Sequence, residues 1–352
     1  MYPRVIINQK NILENAKRMV SLAKDNHIFD IMAIVKVFAG HLDFLKELAE
    51  TGVTYIGDSR IQNLKKIQDI NLPKILVRLP MLSEIDEVIQ FADVSLNSEI
   101  KTIIELNKAS KIANKIHQII LMFDLGDLRE GIYYKSDYLD VIDQILKLDH
   151  IELLGIGTNL TCYGGLVPDQ EILNRLVKIK NHIESHFNCK LQIISGGNSS
   201  TVTLFGKNQI PKEINSLRLG ESIFFGKETS YSTEISHFNH DNFILEAQII
   251  ECQIKPSFPD GPTSINSFGE KVDIKDLGPM KRAILAIGKQ DVILSNLSPV
   301  DKNINIIGGS SDHLIIDITN ANYELGDIIR FNLNYPALLH LMNSDYVEKV
   351  FR

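Results

Sequence analysis

The sequence predicts an α/β fold, with an N-terminal (β/α)8 barrel of the TIM type followed by a C-terminal β-rich domain. Short apolar runs alternate with helix-period segments over roughly the first two thirds of the chain, as eight strands and their crossover helices would. After about residue 228 this alternation stops, and short β-branched runs follow, separated by Gly, Pro, Asn and Asp. We therefore expect a barrel over residues 1–228 and a β-rich domain over residues 229–352.

The first segment, residues 9–25, has apolar residues at helical spacing and predicts an amphipathic helix. Strand-like apolar runs then occur at 31–36, 53–57, 74–79, 94–97, 119–124, 153–158, 191–195 and 217–225. Helix-period stretches between them lie at 42–50, 83–91, 98–113, 136–148 and 169–187. A doubly wound open sheet is the alternative architecture. Against that alternative, no Gly-x-Gly-x-x-Gly follows the first strand.

The second part of the chain begins with a polar segment at residues 229–242, which we interpret as a linker. Short strand-like runs follow at 243–250, 282–287, 304–307 and 314–318. A short helix is expected near residues 335–342. This pattern is typical of a β-rich domain that closes with one helix.

Composition and charge exclude several classes of partner. The 352 residues carry a net charge of −7 without a dense block of lysine and arginine, which argues against nucleic acid. No apolar run approaches the roughly 18 to 20 residues that cross a bilayer, and no signal-type segment stands at the start. The three cysteines lack Cys-x-x-Cys spacing, which favours free thiols over a metal site. We therefore expect a cytoplasmic protein that binds no membrane and no metal.

The first predicted strand, Ile31 to Val35, ends on a lysine, Lys36. In a barrel, functional groups gather at the C-terminal ends of the strands, and this position puts the ammonium there. Burying an unpaired ammonium costs several kcal/mol or lowers its pKa, and a lysine with a lowered pKa suits Schiff-base chemistry with an aldehyde. The alternative is a lysine that has left the strand and reaches solvent.

Two further segments follow strands at the same end of the predicted barrel. Ser195-Gly-Gly-Asn-Ser199-Ser200 follows the seventh strand, and Arg218-Leu-Gly220-Glu-Ser222 lies on the eighth. Backbone amides of a glycine-rich turn and serine hydroxyls bind phosphate, and barrels favour that site after strands seven and eight. A phosphate site and a lysine at one barrel mouth suggest the cofactor pyridoxal 5'-phosphate, whose aldehyde condenses with lysine.

Ala33-Ile-Val-Lys36 resembles the cofactor-lysine motif of the alanine racemase superfamily, pyridoxal-phosphate fold type III, a barrel followed by a β domain. The other similar segments are scattered over nearly the whole chain. They are Asp124-Leu-Gly126-Asp-Leu-Arg129-Glu-Gly131, Asn198-Ser199-Ser200, Leu217-Arg218-Leu-Gly220, Gly308-Gly-Ser-Ser311-Asp312-His313 and Asn334-Tyr335-Pro-Ala-Leu338. Within the superfamily, residues 126–131, 286–291 and 311–313 look most like the branch that contains ornithine racemase.

The resemblance implies a role for individual residues toward the cofactor. Lys36 would hold pyridoxal phosphate covalently and act as the base on one face of the substrate α-carbon. Arg218 would face the pyridine nitrogen and leave it unprotonated. The phosphate would be held by Ser199 or Ser200, Gly220, Ser222 and Tyr335.

The resemblance also implies a substrate side to the site. Arg129 would lie near the substrate carboxylate, with Ser311 and Asp127 as further substrate-binding candidates, although Arg129 could instead be a surface arginine paired with Asp127. Carboxylates at the mouth would suit a substrate with a second ammonium group, a diamino acid. The candidates are Asp127, Glu130, Asp291 and Asp312.

Three positions depart from the alanine racemase pattern. Gly40-His41 stands where the family has a tyrosine, and Met122 stands where the family has a lysine that becomes carbamylated. Lys289 aligns with the tyrosine that serves as the opposite-face base. Racemisation by proton removal and return needs two groups, unless one lysine moves between faces. Candidates for the second base are Lys289, Asp312, His313 and, with less support, Cys252.

As a whole, the resemblance implies a pyridoxal-phosphate-dependent racemase of ornithine or a similar basic amino acid such as lysine. It also implies a homodimer in which the β domain of one subunit completes the barrel mouth of the other. An alanine racemase, a fold type III amino acid decarboxylase and a non-enzymatic pyridoxal-phosphate carrier are the alternatives. The decarboxylase motifs Glu-Pro-Gly-Arg and Cys-Glu-Ser are not found in the second domain, and a carrier would need only the barrel.

Overall fold

The computed structural model describes residues 1–266, 268–269, 271 and 274–352. The chain divides into two compact units, one made of Lys10–His240 and the other of Met1–Gln9 together with Asp241–Arg352. From the sequence we expected a single boundary at residue 228, and we did not expect the first residues of the chain in the second unit. They belong there because strand β1 (Arg4–Ile7) pairs with strands of that unit.

Within residues 10–240, all of which are described, eight parallel strands close into a barrel, as the sequence predicted. The last barrel strand pairs in parallel with the first, Leu217 opposite Ile31. A short extra strand, β7, pairs with the end of β6. The strands are β2 (Asp30–Ile34), β3 (Tyr55–Asp58), β4 (Lys74–Leu76), β5 (Val94–Asn97), β6 (His117–Asp124), β7 (Ile132–Tyr133), β8 (Ile151–Gly157), β9 (Ile193–Asn198) and β10 (Ser216–Leu219).

Helices follow the strands, as expected for a barrel. They are α1 (Gln9–Asp25), α2 (Leu42–Ala49), α3 (Ile61–Lys66), α4 (Ile85–Phe91), α5 (Ile100–Ile112), α6 (Leu139–Leu146), α7 (Gln170–Phe187) and α8 (Glu221–Phe224). The longest of these, α7, begins where the Asp169 carboxylate accepts a hydrogen bond of 2.7 Å from the Ile172 amide. Short α3 was not predicted, because six residues are too few to establish a helical period.

The barrel encloses an apolar core. Side chains alternate between the inside and the outside of each strand, so the enclosed ones come from every second position. The cluster consists of Met32, Ile75, Val94, Leu96, Ile120, Met122, Leu154 and Ile193. Because this core fills the interior below the C-terminal strand ends, polar chemistry is left to those ends and the loops that follow them.

Two predicted segments of this unit differ in the structure. The apolar run 217–225 was expected as one strand, but β10 stops at Leu219 and α8 begins at Glu221, because Gly220 breaks the run. The polar segment after residue 228 was expected as a linker, yet its first residues form an ordered turn. The buried Glu228 carboxylate accepts hydrogen bonds from the amides of Tyr231 and Thr233 at 3.0 and 2.9 Å.

The second unit is β-rich, as predicted. Its strands pair antiparallel in the order β13-β16-β11-β12-β15-β14, and β1 joins β11 antiparallel and β17 in parallel. The elements are β11 (Phe243–Pro256), β12 (Pro279–Leu285), β13 (Leu297–Pro299), β14 (Asn305–Gly309), β15 (Leu314–Asp317), β16 (Ile328–Leu333), α9 (Tyr335–Asn343) and β17 (Glu348–Phe351). In the described part of the chain, no helix combines the length and apolarity that a bilayer crossing requires.

Candidate active site

Lys36 lies at the C-terminal mouth of the barrel. Strand β2 ends at Ile34, two residues before the predicted end, and Lys36 opens one turn of 3-10 helix that reaches Phe38. Phe38 anchors this turn, because it is buried and packs edge-on against Phe224 at 4.8 Å between ring centroids. The Lys36 side chain is partly buried.

Two carboxylates that sequence analysis did not single out lie within electrostatic reach of Lys36. Asp58 ends β3 and is fully buried, and this burial raises the pKa of Asp58 to about 6, although hydrogen bonds and the Lys36 charge oppose the rise. Its Oδ1 accepts from the Arg60 amide at 2.8 Å. Burial also raises the pKa of Glu221, which lies at the start of α8. The positive charge of Lys36 again acts to lower that pKa. Position at a barrel strand end was the only sequence signal for Asp58.

Replacing Asp58 with asparagine is expected to remove a pH-dependent loss of stability. Because the pKa of Asp58 is raised in the folded state, the folded chain binds this proton more tightly than the unfolded chain. Stability therefore falls as pH rises from 3.8 to about 6, a change worth about 3 kcal/mol. Urea unfolding at pH 4 and pH 7 should show a smaller difference for Asp58→Asn than for the wild type. Asp25→Asn, at an exposed position, controls for the lost charge.

The two predicted phosphate-binding segments are brought together at the ends of β9 and β10. The Ser199 hydroxyl oxygen accepts hydrogen bonds from the amides of Gly220 and Ser222 at 3.2 and 3.1 Å. It also lies 3.0 Å from the Ser222 hydroxyl. The Ser200 hydroxyl is buried and has no hydrogen-bond partner within the described residues. Backbone amides and serine hydroxyls thus converge at the ends of these two strands, and the Ser200 hydroxyl is left without a partner among the described residues. Such an arrangement fits a bound phosphate group.

Arg218 is held by hydrogen bonds to Thr158, just after β8, and to Ser195 within β9. Its Nη1 donates to the Ser195 hydroxyl oxygen at 2.8 Å and its Nη2 to the Thr158 carbonyl at 2.6 Å. Only 5% of the residue is exposed, and burial lowers the pKa of Arg218 to about 10. The guanidinium therefore stays charged at neutral pH. These contacts fit a group that faces a ring nitrogen from a fixed position.

The loop after β6 is shaped by Asp124, whose Oδ1 accepts from the amides of Gly126 and Leu128 at 2.8 and 3.1 Å. Gly131 closes this loop with a φ of +121°, and a Cβ there would lie 2.5 Å from the Asp124 nitrogen. A side chain at this position would therefore meet backbone as well as an unfavourable φ. The glycine spacing of this motif is a requirement of the loop geometry.

Arg129 is paired, although its partner differs from the one considered in the sequence. Both Nε and Nη2 of Arg129 donate to the Glu130 carboxylate, and Asp127 is not the partner. Burial lowers the pKa of Arg129, but the Glu130 hydrogen bond and charge outweigh it and raise that pKa above its ordinary value. Glu130 thus gives Arg129 an anionic partner. This matters because the chain has Met122 where the resembled family has a carbamylated, and therefore anionic, lysine.

Asp127 is used to fasten a neighbouring loop. Its carboxylate oxygens accept from the amides of Tyr163 and Leu166 at 3.1 and 3.0 Å, and its carbonyl accepts from Gly164 at 3.0 Å. Only 1% of the residue is exposed. The carboxylate that we expected to bind substrate therefore joins the loop after β6 to the loop after β8, and we do not carry it forward as a substrate ligand.

In the second unit, four predicted residues come together where the β14–β15 turn meets the end of β12. The amide of Lys289 donates to the Ser310 carbonyl at 2.9 Å, which joins the two segments. Asp312 Oδ1 lies 2.9 Å from His313 Nδ1 and accepts from the Ser311 hydroxyl at 3.1 Å. These hydrogen bonds hold the pKa of the exposed Asp312 carboxylate below its ordinary value.

The remaining candidates of the second unit lie elsewhere in it. Tyr335 begins α9, where Asn334 caps the helix by accepting from the Ala337 amide at 3.0 Å. The Cys252 thiol points to the Tyr323 carbonyl at 3.9 Å. Asp291, which was considered as a carboxylate of the mouth, is 5% exposed and accepts from the Ser344 hydroxyl at 2.6 Å.

Comparisons with known proteins give a consistent picture. Residues 7–228 match the family model for the alanine racemase N-terminal domain. The chain is 45% identical to an ornithine racemase of Acetoanaerobium sticklandii over 99% of both chains. It is 36% identical to a lysine racemase of Thermotoga maritima, covering 100% of this chain and 99% of the relative. The crystal structure of an alanine racemase from Streptomyces lavendulae superposes with a TM-score of 0.78 at 14% identity, covering 100% of this chain and 98% of the other.

Proposed function

The chain belongs to the alanine racemase family, and on this premise we propose that it is a pyridoxal-phosphate-dependent racemase of basic amino acids, with ornithine as the preferred substrate. The observation that carries the proposal is the identity, over essentially the full length, to one relative named for ornithine and another named for lysine. Both names describe amino acids with a second ammonium group. The cysteines are free thiols, which supports a location in the reducing cytoplasm. They are Cys162, Cys189 and Cys252.

The residues of the barrel mouth fit the cofactor. When bound, pyridoxal 5'-phosphate supplies an aldehyde that links to a lysine amine and a ring that withdraws electrons from the substrate α-carbon. Lys36 would hold it covalently, and Arg218 would face its ring nitrogen. Ser199, Ser200, Gly220 and Ser222 would bind its phosphate, together with Tyr335 of the second unit. The unpartnered hydroxyl of Ser200 supports this assignment.

The proton steps need one group on each face of the substrate α-carbon. Lys36 would take or return the proton on one face through its amine. On the other face, the candidates remain Lys289 and the Asp312–His313 pair, in which Asp312 orients the imidazole through Nδ1. Arg129 would bind the substrate carboxylate while Glu130 keeps its guanidinium in place. Ser311, bonded to Asp312, is the further substrate-binding candidate.

A panel of three amino acids tests the racemase activity directly. Incubating the protein with L-ornithine, L-lysine and L-alanine in deuterium oxide should cause loss of optical rotation and deuterium incorporation at the α-carbon. The rates should follow the order ornithine, lysine, alanine, since the proposal assigns a preference for a second ammonium group. Release of carbon dioxide in place of racemisation would favour a decarboxylase. Cofactor binding without any α-proton exchange would favour a carrier.

We further propose that the working unit is a homodimer with composite sites. The candidate residues for the two faces lie in two separate compact units, Lys10–His240 and the β-rich unit. A shared site of this kind is usually formed across a twofold interface, and the covering domain excludes water and strengthens the electrostatics around the reacting carbon.

Subunit mixing is expected to restore activity to a pair of inactive variants. A Lys36→Ala chain and an Asp312→Ala chain are each expected to be inactive and are allowed to exchange subunits. If Asp312 acts on the partner's site, the heterodimer has one intact and one doubly defective site, so activity should return to about half per dimer. No recovery after verified exchange would place Asp312 in its own subunit's site. A fully active monomer in sedimentation would remove the composite site.

A further inference from the structure

Asn159 lies just beyond the end of β8, at the same barrel mouth as Lys36 and Arg218, and no role has been assigned to it. It is 6% exposed. Its Oδ1 accepts a hydrogen bond of 3.0 Å from Asn198 Nδ2. Asn198 Oδ1 in turn accepts from the Ser200 amide at 2.8 Å. The Asn159 side chain is therefore tied to the loop that carries the phosphate-binding serines.

The orientation of the Asn159 amide follows from this contact. Because Oδ1 is turned toward Asn198, Nδ2 of the planar amide is turned away from it. Nδ2 is buried and has no hydrogen-bond partner in the described part of the chain. Buried amide groups without a partner are rare in native proteins. Burial removes their hydrogen bonds to water, and this costs folding free energy when no other hydrogen bond replaces them. The fold therefore keeps a fixed donor that no described side chain or backbone group uses.

The residue before Asn159 in the chain is in contact with the part of the site assigned to the cofactor ring. The preceding residue, Thr158, accepts from Arg218 through its carbonyl, and its hydroxyl is also buried without a partner among the described residues. Arg218 is the group assigned above to the ring nitrogen of the cofactor. Asn159 therefore follows directly, in the chain, the residue that holds the arginine assigned to the ring nitrogen. The amides of Gly220 and Ser222, which belong to the segment assigned to the phosphate, come after a different strand, β10.

A purely structural role accounts for only half of this side chain. The clamp to Asn198 needs the Oδ1 acceptor, which an aspartate would also supply. Nothing in the clamp uses Nδ2. A residue retained only for the clamp would not need the amide nitrogen.

We propose that Asn159 is a further cofactor-binding residue, which donates a hydrogen bond from Nδ2 to the pyridoxal moiety of the bound cofactor. The proposal rests on the proposed function, since it takes pyridoxal phosphate as the ligand. It adds the end of the sixth barrel strand, β8, to a site otherwise assigned to the first, seventh and eighth strands. The donor would help Arg218 and Lys36 to hold the pyridoxal moiety.

The test compares Asn159→Asp with the wild-type full chain in binding to three probes. These are pyridoxal 5'-phosphate, pyridoxal and inorganic phosphate, with dissociation constants followed by absorbance or competition. Asn159→Asp keeps the acceptor for Asn198 and loses the donor. We expect roughly tenfold or greater weakening for pyridoxal phosphate and pyridoxal alike, and unchanged binding of inorganic phosphate. A neutral variant, Asn159→Ala, should weaken both pyridoxal probes as well, which separates the lost donor from the added charge.

Asn215→Asp is the matched control at the opposite end of the barrel. Asn215 precedes β10, and its Nδ2 already donates to the Gln192 carbonyl at 2.7 Å. Its replacement should leave the affinity for all three probes unchanged. Circular dichroism reports whether each variant is folded, and Asn159→Ala keeps the test decisive if the aspartate variant does not fold.

Two results would overturn the inference. Wild-type affinity for pyridoxal in both Asn159 variants would show that the residue only clamps the loop. Weakening confined to the phosphate-bearing probes would assign Asn159 to the phosphate. Failure of the proposed function is distinguishable from both results. If the chain takes a different cofactor, the wild type itself binds no pyridoxal phosphate, and if the chain is a carrier or a decarboxylase, the wild type binds pyridoxal phosphate but does not racemise amino acids.

Discussion

Replacing Lys36 with alanine is expected to abolish racemisation and to prevent borohydride from fixing the cofactor to the chain. Lys36 is the lysine that follows the end of the first barrel strand, β2, at the same mouth as Arg218 and Ser199. If it both holds the cofactor and moves the α-proton, its loss should lower the turnover rate by at least roughly a thousandfold. Reduction of the wild-type holoenzyme with borohydride, digestion and mass spectrometry should locate the adduct on Lys36.

Lys46→Ala provides the matched control for this result. Lys46 is an exposed lysine on α2, close to Lys36 in the sequence but on a helix. Its replacement should change neither the rate nor the labelling. An adduct on any lysine other than Lys36, or a Lys36→Ala enzyme that retains wild-type turnover, would overturn the assignment.

Replacing Arg218 with glutamate is expected to lower turnover by at least about a hundredfold and to change the absorption spectrum of the holoenzyme. The buried guanidinium donates to the Ser195 hydroxyl oxygen and the Thr158 carbonyl, and a carboxylate can donate to neither when ionised. A glutamate would also favour a proton on the ring nitrogen, whereas an arginine disfavours it. The spectrum therefore reports the change at the ring independently of the rate.

Arg218→Lys separates the charge from the hydrogen-bond geometry. Lysine keeps the positive charge but loses the two-pronged contact, so its spectrum should stay closer to the wild type than that of Arg218→Glu. Melting curves identify any variant that loses the fold, since a buried carboxylate is costly. If Arg218→Glu folds, binds the cofactor and keeps the wild-type spectrum and rate, Arg218 does not face the ring.

Much of the barrel could be predicted from the sequence because its strands and helices differ in local period and length. The closure of β10 onto β2 then follows from the fold class, and the apolar runs identify the strand that each candidate residue follows. Local pattern failed at element boundaries. It joined β10 and α8 into one strand across Gly220, and it missed β1, whose pairing partners begin at Phe243 and Glu348. Pairing over such distances leaves no local periodic signal.

Lys36, Ser199, Arg218 and Ser222 were selected from the sequence alone, because barrel geometry brings the C-terminal strand ends to one mouth. Only the tertiary structure decided which partner each polar group has. In the folded chain the Asp127 carboxylate accepts hydrogen bonds from the amides of a neighbouring loop, and Glu130 pairs with Arg129. The tertiary structure also buried Asp58 near Lys36 and left Asn159 Nδ2 without a partner among the described residues. Strand position is encoded locally, whereas hydrogen-bond partners and burial depend on residues that folding brings together from distant parts of the chain.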